Sequence, residues 1–325
     1  MSNVGIISLG HYLPQRRLTN SDLEKMVDTT DEWITTRTGI KERRVASQGE
    51  KTSTLATLAA EEAIKNAGID PETIDLIIVA TVSPDSNFPS MACRVQRAIG
   101  AKNATAFDIS AACAGYLYAL TTAKQYIQSK FYKTALVIAA ERITSLIDWK
   151  DRNTCVLFGD GAGACILSQV DGPGIISEYL HSEGELGDLM SVVSDESREP
   201  LSQEEMMIKM PYVVMQGKEL FKVAVNSMSD AIEIAAKKAK INLSDIACVV
   251  PHQANDRIIS AVAKKLEIPK EKIFVNIDRY GNMSAASIAV ALYEAVDQKH
   301  IRKGDHVALV AFGAGLVSAA SVFVW

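Results

Sequence analysis

Cys113 is the residue of this sequence best suited to act as a nucleophile. It follows an apolar, strand-like segment, Thr105–Ile109, and lies among serine, alanine and glycine residues near the start of a helix predicted from about Ser110 to Gln128. The positive end of a helix dipole lowers the pKa of a nearby thiol and so favours the reactive thiolate. Because most lone cysteines are buried structural residues, we assign that role to the other four cysteines, which lie in apolar segments.

Two polar residues farther along the chain could assist such a nucleophile. His252 comes just after the apolar segment Ile246–Val250, and polar groups beyond the end of a strand commonly gather around a site. Asn282 lies in a Gly-Asn turn that begins a helix. A core histidine and an ordinary turn residue are the plainer interpretations. An internal repeat favours Asn282 as a site residue, because it makes this turn the counterpart of the helix start at Cys113.

The repeat consists of two segments that recur in the same order. Residues 63–78 resemble residues 235–250 at an offset of 172 residues. Ser110–Cys113 resembles Ser284–Ser287 at an offset of 174. Alanine-rich helices can resemble each other by chance, so either match alone would be weak evidence for a repeat. Two matches in order at nearly one offset indicate a duplicated unit that divides near residue 170.

The elements that must position these residues alternate between strands and helices. Leu55–Asn66 has the apolar period of a helix and ends before Gly68, a common helix stop. Leu76–Ala80 is predicted to be a buried strand. Such alternation predicts a layered α/β fold. Together with the repeat, it predicts two similar halves, residues 1–170 with Cys113 and residues 171–325 with His252 and Asn282.

The composition is that of an ordinary globular protein. The 325 residues are 48% hydrophobic and 22% charged, which suffices for a sizeable core in one or two domains. A net charge of −5 gives no global field that favours nucleic acid. The five cysteines include no C-x-x-C pair, which argues against a disulfide scaffold and for a reducing, cytoplasmic setting. The five histidines are scattered, so no metal site is predicted.

Three segments have more than one interpretation. Val307–Trp325 is 19 residues without a charge, long enough to span a bilayer, but Gly313–Gly315 interrupts it, so we predict two buried strands joined by a glycine-rich turn and no membrane span. Gly159–Gly163 is followed by strand-like residues rather than a helix, so we predict a hairpin turn and no dinucleotide site. The acidic segment Gly184–Pro211 is predicted to be an insertion over the surface or around a pocket.

Six motifs along the chain resemble those of the thiolase-fold condensing enzymes, and most closely those of the β-ketoacyl-acyl carrier protein synthase III family. The motifs are Asp31–Ile34 with Arg37–Ile40, Asp108–Gly115, Leu157–Gly163, Pro251–Asn255, Gly281–Ser287 and Phe312–Gly315. The resemblance implies a thiolase-like fold in which two pseudo-symmetric halves form a layered αβαβα core. It also implies a homodimer that uses no cofactor.

The activity that the resemblance implies is a decarboxylative condensation. An acyl-CoA starter, with acetyl-CoA the first choice, reacts with malonyl-acyl carrier protein to give 3-oxoacyl-acyl carrier protein, CoA and CO₂, which initiates fatty acid biosynthesis. In this reaction Cys113 is the nucleophile, and His252 and Asn282 complete a Cys-His-Asn set. The backbone N–H groups of Cys113 and Ala314 form the oxyanion hole.

The resemblance further implies which residues bind the substrates. The residues implied for CoA are Thr29, Trp33, Arg37, Arg152, Gly217, Phe221 and Asn255. Phe88 is implied to limit the acyl pocket by reaching across a dimer interface, and Arg257 to dock the acidic carrier protein. The chain departs from the family pattern at Asp256, where an apolar or neutral residue is more usual, and an exposed carboxylate there would repel an acidic partner.

Other activities remain open at this point. A specialised relative would prime a polyketide pathway or transfer the acyl group to another acceptor, because fold and triad do not fix the substrate. Elongating synthases carry a second histidine where this chain has Asn282, and biosynthetic thiolases carry a second cysteine near the C-terminal glycine loop, where this chain has none, so both are disfavoured. A papain-like protease also uses Cys, His and Asn, but its C-G-[SA]-C-[WY] signature is absent. The non-enzyme alternative is an acyl-CoA-binding relative without turnover.

Overall fold

The structure is a computed structural model that describes residues 3–193 and 212–325. The strands are β1 (Asn3–Tyr12), β2 (Arg17–Thr19), β3 (Glu42–Arg44), β4 (Leu76–Ala80), β5 (Thr105–Ile109), β6 (Ala135–Arg142), β7 (Asp160–Val170), β8 (Ile175–Ser182), β9 (Met190–Val193), β10 (Tyr212–Met215), β11 (Cys248–Pro251), β12 (His306–Gly313) and β13 (Val317–Val324). The α-helices are α1 (Asn20–Leu23), α2 (Asp31–Thr38), α3 (Thr52–Ala67), α4 (Met91–Ile99), α5 (Gly115–Gln128), α6 (Arg152–Cys155), α7 (Gly217–Ala239), α8 (Asp256–Lys265), α9 (Ile277–Tyr280) and α10 (Ala285–Asp297). Short 3₁₀ helices are found at Pro71–Thr73, Ala112–Ala114, Ile143–Leu146, Gly184–Leu189, Leu243–Asp245 and Lys270–Lys272.

The first sheet has five strands in the order β1-β7-β6-β4-β5. β4 pairs in parallel with β5 and β6, whereas β7 pairs antiparallel with β6 and β1. Every residue of β4 is buried, as expected for a strand that helices cover on both faces. α3 and α4 cover the outer face. As the sequence predicts, α3 ends at Gly68, which adopts the left-handed conformation with φ +64°.

The second sheet repeats the strand order of the first. Its order is β11-β12-β13-β8, which corresponds to β4-β6-β7-β1, and each pairing has the same sense as its counterpart. An isolated parallel bridge between Val249 and Ile273 lies where β5 pairs with β4 in the first sheet. α7 and α8 form the hydrophobic layer outside this second sheet. The predicted layered α/β fold is confirmed, and its two sheets share one strand order.

The central layer between the sheets is formed by α5 and α10. Ten of the residues of α10 are buried, and a helix that is apolar nearly all round is expected only in such an interior position. A residue with positive φ stands just before each central helical segment, Ala112 at φ +43° and Ser284 at φ +48°. These two residues are 172 positions apart. The shared backbone conformation therefore supports an offset of 172 for the second repeated segment, in place of the 174 inferred from its residue types.

The segment Gly159–Gly163 is not the predicted hairpin turn. Residues Asp160–Val170 form one continuous strand, β7, and the residues before it form the short helix α6 rather than a strand. Close packing explains the small residues: a Cβ placed on Gly163 would lie 2.5 Å from the Cβ of Ala289 on α10. Glycine therefore lets the strand and the helix approach each other, and Gly159–Gly163 leads into a strand rather than into a helix.

The two other ambiguous segments are resolved to different extents. Val307–Trp325 contains β12 and β13 joined at a glycine-rich turn, as predicted. Within residues 3–193 and 212–325, no helix has the length and apolarity needed to cross a membrane. Of the predicted insertion Gly184–Pro211, the part up to residue 193 forms a 3₁₀ helix and β9, which pairs with β10. The remainder of the insertion lies outside the described residues.

Candidate active site

Cys113, His252 and Asn282 line one cavity of about 130 Å³. Cys113 reaches it from the first sheet through β5, whereas the other two reach it from segments that follow β11 and α9. The three residues are far apart in sequence, and the fold brings them together as the repeat predicts. Methionine, leucine and phenylalanine side chains make up much of the remaining lining, so the cavity combines a few polar groups with a mainly apolar wall.

Cys113 lies in the 3₁₀ turn Ala112–Ala114, immediately before α5, rather than within the predicted helix. Its side chain faces the cavity, yet the residue is only 4% exposed. Burial raises the pKa of the Cys113 thiol to about 11, and hydrogen bonding to Ser284 opposes this rise. The predicted lowering of the thiol pKa is therefore wrong for the free protein, because the loss of solvation outweighs the helix terminus.

His252 directly follows β11 and is 2% exposed. Its backbone N–H donates a 2.7 Å hydrogen bond to the carbonyl of Val310, which fixes the residue against β12. Burial lowers the pKa of His252 to about 3. The imidazole is therefore neutral at pH 7 and carries one N–H. Among the described residues, its buried Nδ1 has no hydrogen-bond partner.

Asn282 is held by its own backbone and by its side-chain oxygen. Its backbone N–H donates to the carbonyl of Leu157 at 2.8 Å, and Oδ1 accepts a 2.8 Å hydrogen bond from the N–H of Ser284. With Oδ1 engaged in this way, the amide NH₂ is the group left to act on a ligand. Gly281 makes the turn possible, since its φ of +65° lies in the region that favours glycine.

The glycine loop between β12 and β13 lies directly against the nucleophile. A Cβ placed on Gly313 would be 2.6 Å from the backbone nitrogen of Cys113, so only glycine allows this approach. Ala314 and Cys113 both line a second cavity of about 70 Å³. The two residues predicted to supply backbone N–H groups thus line one small space.

This second cavity shares Cys113, Phe158 and Met190 with the larger channel. Its side-chain lining is largely aliphatic and includes Val82, Ile143, Leu146, Met190, Val192 and Val213. An acyl group held on Cys113 fits such a lining. Phe88, predicted to limit the acyl pocket, does not line this cavity within one chain: it is 86% exposed.

Three of the residues implied for CoA form one aromatic and basic cluster. The guanidinium carbons of Arg37 and Arg152 lie 5.2 and 5.3 Å from the centroid of the Trp33 ring. Asn255 connects this cluster to the channel, because it lines the cavity and its Nδ2 donates a 3.1 Å hydrogen bond to the carbonyl of Arg37. Thr29 does not line the cavity; its buried Oγ1 has no hydrogen-bond partner among the described residues.

The other implied binding residues lie along the same channel. Gly217 and Phe221, both on α7, line it. Arg257 is exposed beside it, with its guanidinium carbon 5.8 Å from the centroid of the Phe221 ring. Asp256 is half-buried and packs closely against Gly39, so it does not stand free beside Arg257. As the first residue of α8, its carboxylate is also favoured by the helix dipole.

Sequence reasoning missed two polar residues next to Cys113. Glu141, at the end of β6, is fully buried and accepts hydrogen bonds from Ser83 Oγ at 2.5 Å and Thr81 Oγ1 at 3.1 Å. Burial raises the pKa of Glu141 to about 7, although these hydrogen bonds oppose the rise. Ser284 lines the 70 Å³ cavity together with Cys113. For Glu141, the sequence offered one signal: it is a charged residue that directly follows the uncharged, strand-like residues Ala135–Ala140.

Comparison with known proteins places the chain in a family. Models described as 3-oxoacyl-[acyl-carrier-protein (ACP)] synthase III and as the C terminal of that enzyme match residues 107–184 and 236–325. A β-ketoacyl-[acyl-carrier-protein] synthase III of Caldanaerobacter subterraneus subsp. tengcongensis is 50% identical over 322 residues, which are 99% of this chain and 97% of that protein. The chain belongs to the 3-oxoacyl-acyl carrier protein synthase III family. The prefixes 3-oxoacyl and β-ketoacyl denote the same group, so the resemblance seen in the sequence is confirmed.

Solved structures agree with this membership. The 3-oxoacyl-[acyl-carrier-protein] synthase III of Aquifex aeolicus is 48% identical, with a TM-score of 0.93 over 99% of this chain and 100% of that one. The priming β-ketosynthase from the R1128 polyketide biosynthetic pathway is 34% identical, with a TM-score of 0.94 over 99% and 96% of the two chains. This synthase III family member therefore has the thiolase-like fold and is an acyl-transferring condensing enzyme.

Proposed function

We propose that this synthase condenses an acyl-CoA starter, with acetyl-CoA the first choice, with malonyl-acyl carrier protein. The products are 3-oxoacyl-acyl carrier protein, CoA and CO₂, and the reaction initiates fatty acid biosynthesis. The observation that carries the proposal is the convergence of Cys113, His252 and Asn282 on one cavity, with a second, largely aliphatic cavity that Cys113 also lines. Family membership at about 50% identity supports the same reaction.

In the first half of the reaction, the sulfur of Cys113 attacks the thioester carbonyl of the acyl-CoA. The S–C bond to Cys113 forms, the bond to the CoA sulfur breaks, and the acyl group stays on the enzyme. The backbone N–H groups of Cys113 and Ala314 stabilise the negative oxygen of the tetrahedral intermediate. Their position around one small space, enforced by Gly313, supports this role.

In the second half, His252 and Asn282 act on malonyl-acyl carrier protein. Each donates a hydrogen bond to the thioester carbonyl of the malonyl group and so stabilises the enolate that forms as CO₂ leaves. The enolate carbon then attacks the acyl group on Cys113 and releases the 3-oxoacyl product. A neutral imidazole has the N–H needed for this donation, and the pKa of His252, lowered to about 3 by burial, keeps it neutral.

The remaining residues are proposed to hold the substrates. Trp33 and Arg152 stack against the CoA adenine, and Thr29, Arg37, Gly217, Phe221 and Asn255 bind along the pantetheine and phosphate channel. Arg257 docks the acidic carrier protein, to which it is available because it is exposed. Phe88 limits the acyl pocket of a partner subunit in a homodimer; its exposure on the single chain supports this assignment.

The proposal extends to organisation and location. Residues 1–170 and 171–325 form the two halves, which the matching strand orders support, since the division falls between β7 and β8. The synthase acts in the cytoplasm. Every proposed step uses thioester substrates and groups of the chain itself, so no cofactor or metal is included. A priming role in polyketide synthesis is less favoured, because the polyketide ketosynthase is 34% identical, whereas relatives at about 50% are synthase III proteins.

The test is intact mass spectrometry of the wild type after incubation with acetyl-, isobutyryl- and longer acyl-CoAs, followed by malonyl-acyl carrier protein. We expect the wild type to gain one acyl mass and to discharge it as a 3-oxoacyl product. Cys113→Ala is expected to gain none. Cys93→Ala, which removes the exposed cysteine, is the matched control and is expected to behave as the wild type. An acylated enzyme that malonyl-acyl carrier protein does not discharge would contradict the condensation, and absence of acylation would contradict the mechanism.

A further inference from the structure

Acylation requires the proton of the Cys113 thiol to leave, and the residues assigned so far do not provide its acceptor. Burial holds the pKa of the thiol at about 11, so little thiolate is present at pH 7. His252 is a poor acceptor, because burial lowers the pKa of its imidazole to about 3. The pKa of Glu141, raised by burial to about 7, makes its carboxylate a stronger base than that imidazole by about 10⁴-fold.

Resting on the proposed function, we propose that Glu141 accepts the proton of Cys113 through the hydroxyl of Ser284 during acylation. The thiol proton passes to the Ser284 oxygen as the Ser284 hydroxyl proton passes to Glu141. The sulfur keeps its electron pair and bonds to the acyl carbon, and the carboxylate becomes a neutral acid. Reversal of this transfer returns the proton through Ser284 to the sulfur of the departing CoA. Glu141 touches no substrate and is a positioning residue.

Ser284 lies close to both groups. Ser284 and Cys113 line the same 70 Å³ cavity, as does Val82, whose N–H donates to both carboxylate oxygens of Glu141 at 3.1 and 3.2 Å. Hydrogen bonding to Ser284 is among the interactions that oppose the burial-raised pKa values of Cys113 and Glu141. Ser284 holds a backbone φ of +48°, a strained value for a residue with a side chain, of the kind that persists at functional sites.

The hydrogen bonds of Glu141 leave room for this transfer. Oε2 accepts from the hydroxyls of Ser83 and Thr81 and shares the N–H of Val82, whereas Oε1 receives only that shared N–H from a hydrogen-bond donor in the described part of the chain. Oε1 therefore keeps acceptor capacity for Ser284. The donors on Oε2 hold the carboxyl in place and limit how far burial raises its pKa.

The neighbouring charge on β6 acts away from this relay. Arg142, the next residue on β6, points to the opposite face of the sheet, where its charge lowers the pKa of Glu50 and opposes the burial-raised pKa of Asp160. Cys113 is the titratable group whose pKa responds to Glu141, since the negative carboxylate adds to the rise caused by burial. If Glu141 acted only through its charge, it would hinder thiolate formation, and its removal would speed acylation. If Glu141 accepts the proton, its removal would slow acylation, so the acylation rate distinguishes the two roles.

The test is the single-turnover acylation rate of Cys113 by saturating acetyl-CoA, followed by rapid quench and intact mass between pH 5.5 and 9. In the wild type the rate is expected to rise with pH through an inflection near 7, as Glu141 loses its proton. Glu141→Gln and Ser284→Ala are expected to lose this inflection and to acylate about 10²-fold more slowly at pH 8, the lower end of general acid–base assistance.

Ser83→Ala is the matched variant that keeps the relay but changes the carboxyl. Its hydroxyl stabilises the charged form of Glu141, so its removal is expected to move the inflection to higher pH. This shift remains measurable even where Glu141→Gln fails to fold. An inflection near 7 that survives in Glu141→Gln, faster acylation in that variant, or an unmoved inflection in Ser83→Ala would overturn the relay. A wild type that acetyl-CoA does not acylate at any pH would instead contradict the proposed function.

Discussion

His252 should make the folded protein sensitive to acid in a way that can be measured without substrate. The imidazole is 2% exposed, and burial lowers its pKa to about 3, whereas an unfolded histidine titrates near 6.5. Below pH 6.5 the unfolded chain therefore binds a proton that the folded chain does not bind. The free energy of unfolding must fall as the pH drops from about 6.5 towards 3.

The size of this effect follows from the two pKa values. Each pH unit between them costs about 1.4 kcal/mol. Lowering the pH from 7.5 to 5.0 passes about 1.5 units below the unfolded value, so His252 should cost the folded state about 2 kcal/mol over this range. His252→Gln removes the titrating group and should flatten the pH dependence by that amount. Glu141, whose pKa is raised to about 7, acts in the opposite direction over the same range, but it is common to both proteins.

The assay is urea unfolding of the two proteins at fixed protein concentration, at pH 7.5, 6.5, 5.5 and 5.0. The quantity to compare is the loss of unfolding free energy between pH 7.5 and 5.0, not the absolute stability, which the substitution also changes. His300→Gln, at an exposed position, controls for the loss of an imidazole as such. Equal losses in the wild type and His252→Gln would refute the reasoning that the buried imidazole stays neutral.

Three further predictions concern packing and binding. Gly313→Ala should abolish acylation measured by intact mass, because its Cβ would lie 2.6 Å from the backbone nitrogen of Cys113; acylation at the wild-type rate would contradict the tight loop. Trp33→Ala should raise KM for acetyl-CoA about tenfold, since two arginine–ring contacts and the adenine stack are lost; an unchanged KM would remove Trp33 from the CoA site. Gly163→Ala should lower the free energy of unfolding by about 1–3 kcal/mol. Gly172 has open space around it, so Gly172→Ala should change that free energy by less than about 0.5 kcal/mol. Equal effects of the two substitutions would contradict the close packing at Gly163.

Much of the fold follows from the sequence because its signals are local or repeated. The apolar segment Leu76–Ala80 is a strand, and Gly68 ends the helix before it, as the pattern predicts. The repeat predicts two similar sheets, which no single segment reveals. The small residues of Gly159–Gly163 mislead, however, because a tight turn and a strand packed closely on a helix both require glycine. Only the position of α10 decides between them.

The site was predicted in part for the same reasons. Cys113, His252 and Asn282 stand out by residue type and position, and the fold brings them to one cavity. The protonation of Cys113 was predicted in the wrong direction, because burial is a property of the packed molecule and not of a helix start. Glu141 was missed since its importance depends on a hydrogen-bonding environment assembled from another strand end.

The contact between β7 and α10 also determines how firmly the site is held. At Gly163 the strand backbone approaches Ala289 so closely that a single added carbon would fall 2.5 Å from its Cβ. No flexible side chain lies between the strand backbone and the helix at this point, so the distance between them can change little. Cys113 follows β5 of the first sheet and His252 follows β11 of the second, so their separation depends on the spacing of the layers between them. Layers packed this tightly keep the distance between Cys113 and His252 constant when different ligands bind in the cavities beside them.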